Sequence, residues 1–395
     1  MMNIEFSDRL KKLPPYLFVE IDKAKRAARA QGRDIIDLGI GDPDTPTPDF
    51  IIEAMNKATK DPANHRYALD NGLLDLRKAI AEWMNARFNV TLDTEKEIHP
   101  LIGSKDGIAH LPLALINPGD VVLVPDPRYP PYYSGSIFAG AKVKILPLEE
   151  KNGFLPDLKA ISARGGSAFG GKKAKLIFVC YPNNPTASVA SRDFYRRLVD
   201  ICLNEEIIIA SDAAYSEIYY DNEKPPSILE IEGSRDIAIE FHSLSKTYNM
   251  TGWRIGWACG NEKLIAALAK VKSNVDSGIF QAIQVAGIAA LQSDQAHPEK
   301  MRKVYCQRRD ALIDGLVDLG WQVAKPKATF YIWAKIPKQF KSSMEFAKLL
   351  LDKCDVIATP GVGFGEFGEG YIRFALTVGV SRIKEAVSRI GKLFI

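Results

Sequence analysis

Cysteine is scarce and scattered in this chain. Cys180, Cys202, Cys259, Cys306 and Cys354 are the five in 395 residues, with no Cys-x-x-Cys pair and no histidine at metal-ligand spacing. That excludes a disulfide framework and a structural zinc site, and the thiols read as reduced groups in a reducing compartment. The first residues, Met-Met-Asn-Ile-Glu-Phe-Ser-Asp-Arg, lack the apolar core of a secretory signal, and no uninterrupted apolar run approaches the length of a membrane span. The expectation is a cytoplasmic protein with no membrane partner. A single-sign charge excess is also missing: the net charge is +4. The basic run Lys23-Ala-Lys-Arg-Ala-Ala-Arg29 therefore reads as the solvated face of a helix, and no nucleic-acid partner is expected. Long disordered stretches are not expected either, since 46% of residues are hydrophobic and 25% charged, as in ordinary globular proteins.

What is present is a chain long enough for two or three domains. A helix is predicted from about Leu17 to Gln31, followed by an extended segment, Asp34-Ile-Ile-Asp-Leu-Gly-Ile-Gly-Asp-Pro-Asp44, that turns at Gly41. From about residue 50 to 290, helical periods alternate with apolar runs such as Val121-Val-Leu-Val, Leu176-Ile-Phe-Val, Ile207-Ile-Ile-Ala and Ile237-Ala-Ile-Glu-Phe. Continuous apolar runs separated by helices predict an α/β fold with a mostly parallel sheet covered on both faces. The tail, with Thr329-Phe-Tyr-Ile-Trp-Ala and Tyr371-Ile-Arg-Phe-Ala between helices, predicts a smaller α+β layer. Residues 1–47 are expected to belong with that layer, giving a large domain over 48–290 and a small one completed by 291–395.

One segment imitates a nucleotide-binding loop. Gly166-Ser-Ala-Phe-Gly-Gly-Lys-Lys173 has lysine where a P-loop needs serine or threonine for magnesium, and it precedes a strand instead of following one. It reads as a flexible surface loop.

The chemistry gathers beyond the carboxyl ends of the apolar runs, where open parallel sheets bind ligands. There stand Tyr181-Pro-Asn-Asn184, Asp212-Ala-Ala-Tyr215 and His242-Ser-Leu-Ser-Lys246. In Ser243-Leu-Ser-Lys-Thr-Tyr-Asn-Met-Thr-Gly-Trp-Arg254 an amine is flanked by hydroxyls and followed by a guanidinium, which suits an aldehyde cofactor carrying a phosphate. Pyridoxal 5′-phosphate answers that description, with Lys246 forming the Schiff base once its pKa is lowered. Its pyridine nitrogen asks for a carboxylate, and Asp212 is the candidate; its ring oxygen asks for donors, and Tyr215 and Asn184 fit. Leu101-Ile-Gly-Ser104-Lys105 reads as a strand end, a glycine turn and a helix start that face an anion with N–H groups. Tyr129 is a candidate to lie flat on the cofactor ring. Arg373, alone among apolar neighbours on a predicted strand, wants a carboxylate: a structural partner or a substrate α-carboxylate. The glycine-crowded run Gly361 to Gly370 before it predicts a mobile loop suited to a lid.

With these residues assembled, the chain resembles the class I/II, fold-type I aminotransferases along nearly its whole length. Within them it is most similar to the LL-diaminopimelate aminotransferases, through Leu13-Pro-Pro-Tyr16-Leu-Phe, Gly103-Ser-Lys-Asp-Gly-Ile-Ala-His-Leu, Tyr181-Pro-Asn-Asn-Pro-Thr-Ala, Ser211-Asp-Ala-Ala-Tyr-Ser-Glu, the Lys246 segment, Val271-Lys-Ser-Asn-Val-Asp-Ser-Gly-Ile-Phe-Gln and Gly363-Phe-Gly-Glu-Phe-Gly-Glu-Gly-Tyr-Ile-Arg-Phe-Ala-Leu-Thr. The resemblance implies that Lys246 carries the cofactor, Asp212 holds its ring nitrogen, Asn184 and Tyr215 contact its ring oxygen and Tyr129 stacks on it. It implies phosphate contacts from Ser104, Lys105, Ser243, Ser245 and Arg254, and a substrate carboxylate held by Arg373 and the Gly41 turn, with Tyr16 nearby. Tyr67 resembles a tyrosine that reaches the phosphate in the neighbouring subunit, which implies a homodimer with shared sites.

Arg128 departs from the glycine that many relatives carry, and the 165–173 stretch is longer than usual. The resemblance implies transamination with glutamate and 2-oxoglutarate. It leaves open an aspartate or broad-specificity aminotransferase and a cysteine-conjugate β-lyase, which share the cofactor residues.

Overall fold

A computed structural model of the chain describes residues 2, 4–14, 17–68, 71–165 and 173–394. Among them, twelve strands form three sheets. In chain order they are β1 (Ile36–Asp37), β2 (Ile98–Leu101), β3 (Val121–Asp126), β4 (Lys142–Pro147), β5 (Ala174–Cys180), β6 (Ile208–Asp212), β7 (Ala238–Ser243), β8 (Gly256–Gly260), β9 (Tyr331–Lys335), β10 (Val356–Ile357), β11 (Thr359–Pro360) and β12 (Tyr371–Ala375).

The large sheet runs β2-β8-β7-β6-β5-β3-β4. Its pairs are parallel from β7 through β6, β5 and β3 to β4, while β8 is antiparallel to both β2 and β7. The apolar runs become strands because both faces are covered. Val122, Val124, Leu176 and Phe178 enter one core with Ile108, Leu111 and Leu268; Val121, Leu123, Ile177 and Val179 enter the opposite core with Ile80, Trp83 and Leu198. Successive residues of a strand point to opposite faces, so burial on both faces favours apolar residues at successive positions, and Glu240 on β7 is buried with its carboxylate accepting from Ser227 and the Ile228 N–H. Each fully buried Leu, Ile or Phe contributes about 1.5–3 kcal/mol.

A second core joins residues from both chain ends. Ile36 and Leu38 pack with Leu312, Leu316, Phe330, Ile332, Phe346, Ile372 and Phe374. β1 pairs in parallel with β10, and β11-β12-β9 form an antiparallel sheet. The helices Ala296–Asp318, Ser343–Cys354 and Val380–Gly391 cover it. The Asp44 carboxylate grips Arg308 through both guanidinium nitrogens at 2.6 and 2.9 Å, which ties the extended segment after β1 to the long helix. No helix among the described residues is long and apolar enough to cross a membrane.

The glycine-rich segment corrects the expectation of a mobile loop. It forms two 3-10 turns, Gly361–Phe364 and Glu366–Gly368, with Gly361, Phe364 and Gly368 buried. Any side chain at Gly361 or Gly368 would overlap the other's carbonyl, so these glycines serve close backbone packing. The P-loop-like stretch lies outside the described residues over 166–172.

Candidate active site

A cavity opens at the carboxyl ends of β5, β6 and β7, bordered by the second core. Among its lining residues are Gly41, Ser104, Lys105, Tyr129, Asn184, Asp212, Tyr215, Ser243, Ser245, Lys246, Arg254 and Arg373. The sequence thus placed twelve separate residues that the fold brings to one surface. Tyr67 is not among them: it is 84% exposed, on the outside of this chain. Tyr16 lies outside the described residues.

β6 ends at Asp212, which is buried and held by two donors. Tyr132 Oη–H donates to Oδ2 at 2.7 Å and the Ala214 N–H donates to Oδ1 at 3.1 Å. Burial raises the Asp212 pKa, while these donors and His242 oppose the rise. β7 ends at Ser243, whose hydroxyl caps the short helix Leu244–Thr247 by accepting from the Ser245 N–H, and that helix delivers Lys246. The half-buried Lys246 amine donates to the Gly41 carbonyl at 2.8 Å. Burial pushes its pKa down to about 8, helped by the Arg373 and Arg254 cations and opposed by Asp42. An amine in that range is neutral often enough to act as a nucleophile and a base.

Cations and hydroxyls cluster elsewhere in the cavity. β2 ends at Leu101, Gly103 turns the chain at φ +73°, and the helix Ser104–Leu115 begins. Arg254 reaches that turn, donating from Nη2 to the Ile102 carbonyl at 3.5 Å and from Nη1 to the Thr251 carbonyl at 2.8 Å. Lys105 has its pKa lowered by burial and then by the Arg254 charge. Two cations this close, with Ser104, Ser243 and Ser245 hydroxyls and a helix start, make a site that asks for an anion. Asp106 does not spoil it, because its carboxylate accepts the Ile102 N–H at 3.0 Å and pairs with buried Lys272.

Arg373 lies on β12 among apolar residues and is buried. Nη1 donates to Asn184 Oδ1 at 2.7 Å and Nη2 to the Gly39 carbonyl at 2.8 Å. The rings of Tyr331 and Phe364 lie against its guanidinium, 4.1 and 4.6 Å from Cζ. The strap from residue 38 to 41 is fixed at successive carbonyls: Gly39 also accepts from Thr359, Ile40 from Thr377 and Gly41 from Lys246. Asn184 shows its oxygen to Arg373, so its amide N–H groups are the donors left for a ligand.

Three aromatic residues escaped the sequence reading. Tyr331 meets the Tyr215 hydroxyl at 2.9 Å and lines the cavity. Phe364 lines it from the glycine-rich turns, and Tyr132 lies behind Asp212. Tyr331 stands in an apolar run, as core residues do, while Phe364 stands among glycines and Tyr132 after two prolines, where neither aromatic is marked as lining a site. Tyr129 lines the cavity as well, with its ring edge-on to Tyr132.

Fold and cavity together define a fold-type I enzyme, with a half-buried amine, a buried carboxylate, a cluster of cations and hydroxyls, and a buried arginine lining one cavity. A family model of the class I and II aminotransferases matches residues 33–390, and the chain belongs to that family. It is 55% identical over 394 residues to the LL-diaminopimelate aminotransferase of Nitratidesulfovibrio vulgaris, covering 100% of both chains. It is 53% identical over 389 residues to the enzyme of the same name from Aquifex aeolicus, covering 98% of this chain and 99% of that one. Among solved structures it is similar to apo-BacF from Bacillus subtilis, with a TM-score of 0.94 and 39% identity over 100% of this chain and 99% of that chain. The protein is an aminotransferase.

Proposed function

We propose that the cavity binds pyridoxal 5′-phosphate and that the enzyme transfers an amino group between LL-diaminopimelate and 2-oxoglutarate, with glutamate as the donor in lysine biosynthesis. The observation that carries the cofactor reading is the donor set itself: a neutralisable amine at Lys246, a buried carboxylate at Asp212 and a cluster of two cations with three hydroxyls. The substrate reading is supported by full-length relatives that bear the LL-diaminopimelate aminotransferase name.

In this reading Ser104, Lys105, Ser243, Ser245 and Arg254 hold the phosphate, Asp212 keeps a proton on the ring nitrogen, and Tyr215 and Asn184 donate to the ring oxygen. Tyr129 lies against the ring. When bound, the cofactor supplies an aldehyde that takes up the amino group and a ring that accepts the electron pair left at the substrate Cα. Arg373 grips the α-carboxylate in a bidentate fork, helped by the strap around Gly41, with Tyr16 beside the substrate. With the cofactor bound, the Lys246 amine would serve as general base and acid for the proton at the substrate Cα. The two substrates use the site in turn, in two half-reactions.

Exposed Tyr67 suits a contact with the phosphate site of a second copy, which makes the working unit a homodimer. The division into a large domain, 48–290, and a small one, 1–47 with 291–395, fits the separate cores. Five free cysteines fit a reducing cytoplasm. Initial rates test the substrate: glutamate formed from LL-diaminopimelate and 2-oxoglutarate should exceed that from aspartate or alanine at equal concentration by at least about tenfold in kcat/KM. Equal rates would leave an aminotransferase of broad specificity.

A further inference from the structure

Asp126, the last residue of β3, is 2% exposed and lines no part of the cavity. Its carboxylate accepts the Phe367 N–H at 3.1 Å and the Glu366 N–H, and pairs with the Arg128 guanidinium. The Arg128 N–H in turn donates to the Phe364 carbonyl at 2.8 Å. Two residues two positions apart thus hold the backbone of Phe364, Glu366 and Phe367. Gly365, at the centre of the turn, has φ +132°, and a Cβ there would overlap the Asp126 carboxylate. The turn is therefore wrapped around that carboxylate, and only glycine permits it. The turn presents Phe364, 2% exposed, with its ring 4.6 Å from the Arg373 guanidinium carbon.

We propose that Asp126 and Arg128 are positioning residues for substrate binding, acting through Phe364 on Arg373. This rests on the reading of Arg373 as the grip for the α-carboxylate. Phe364 keeps water from one side of the guanidinium, which strengthens its attraction for a carboxylate in a low-dielectric site. Loosening the clasp frees Phe364, admits water and weakens that attraction. An amino acid and an oxo acid both carry the α-carboxylate, so both are affected. Arg128, which stands where many relatives are expected to carry glycine, thereby gains a role.

The test uses cofactor-loaded, full-length enzyme as wild type, Arg128→Ala, Arg128→Lys, Phe364→Ala and the Arg128→Ala/Phe364→Ala pair, with LL-diaminopimelate and 2-oxoglutarate. Arg128→Ala is expected to raise KM for both substrates about tenfold while kcat stays within about twofold, the pattern of lost uniform binding. Arg128→Lys should recover most of the loss. The double variant should bind no worse than Phe364→Ala alone, because both act through one ring. Backbone hydrogen exchange gives a readout free of turnover: in Asp126→Asn, the Glu366 and Phe367 amides should exchange faster than in wild type. An unchanged KM in Arg128→Ala, additive effects in the double variant or unchanged exchange would each overturn the proposal. Wild-type enzyme inactive on this substrate pair would overturn the functional reading instead, and the exchange result would still decide the clasp.

Discussion

The phenol of Tyr132 donates a 2.7 Å hydrogen bond to Oδ2 of Asp212, and its ring is stacked on Phe178 with centroids 5.1 Å apart. Burial raises the Asp212 pKa, and this donor is one of the groups that oppose the rise. Tyr132→Phe keeps the stack and removes the donor. A buried hydrogen bond to a charged group contributes about 1.5–3 kcal/mol, or roughly one to two pKa units. The Asp212 pKa rises further in the variant, so activity that needs the carboxylate fails at a higher pH. The acid limb of the kcat profile is expected to move up by about one unit, measured on cofactor-loaded protein. An unshifted limb would remove Tyr132 from the proton balance of the site.

Lys246 gives a second pH dependence. The reactive form is the neutral amine, and with a pKa of about 8 its population rises through that pH. At pH 7 roughly a tenth of the amine is neutral, against well under a thousandth for an unperturbed lysine. Attachment of pyridoxal phosphate to cofactor-free protein, trapped by borohydride, should accelerate with pH up to about 8 and then level. A rate still climbing tenfold per unit above pH 9 would show an unperturbed amine.

His99 on β2 sets an acid limit to stability. It is 1% exposed, and burial first, then the Lys272 and Arg77 cations, push its pKa down to about 4 against the pull of Asp106 and Asp276. The folded state holds the ring neutral, whereas the unfolded chain takes a proton below about 6.5. Stability from this residue is complete above pH 6.5 and is lost as pH falls towards 4, by about 3 kcal/mol. Urea midpoints across that window should fall less steeply in His99→Gln than in wild type. Parallel curves would assign the acid sensitivity to other groups.

The large sheet was legible because strands buried on both faces are apolar through their middles, as Val121-Val-Leu-Val and Leu176-Ile-Phe-Val are. Edge strand β4, Lys-Val-Lys-Ile-Leu-Pro, has lysines on a half-exposed face and carries no such signal. Antiparallel β8, Gly-Trp-Ala-Cys-Gly, is buried throughout but is short and bounded by glycines, so it offers no long apolar run. Polar residues just past buried strands stood out against their surroundings, so Asp212, Asn184 and Lys246 could be named from the sequence. Tyr132, Tyr331 and Phe364 could not, since an aromatic residue looks the same in sequence whether it packs a core or faces a cavity. Glycine content misled at residues 361 to 370, because it marks close packing as readily as looseness.

Lys246 is proposed to hold an aldehyde cofactor which takes the amino group from LL-diaminopimelate. The most direct measurement is the absorption spectrum of pyridoxal phosphate-loaded enzyme before and after LL-diaminopimelate, aspartate or alanine is added without an oxo acid. The band of the lysine-bound cofactor is expected to give way to that of its aminated form with LL-diaminopimelate at a far lower concentration than with the others. Conversion led by aspartate or alanine would contradict the substrate, and a loaded protein with no such band would contradict the role of Lys246.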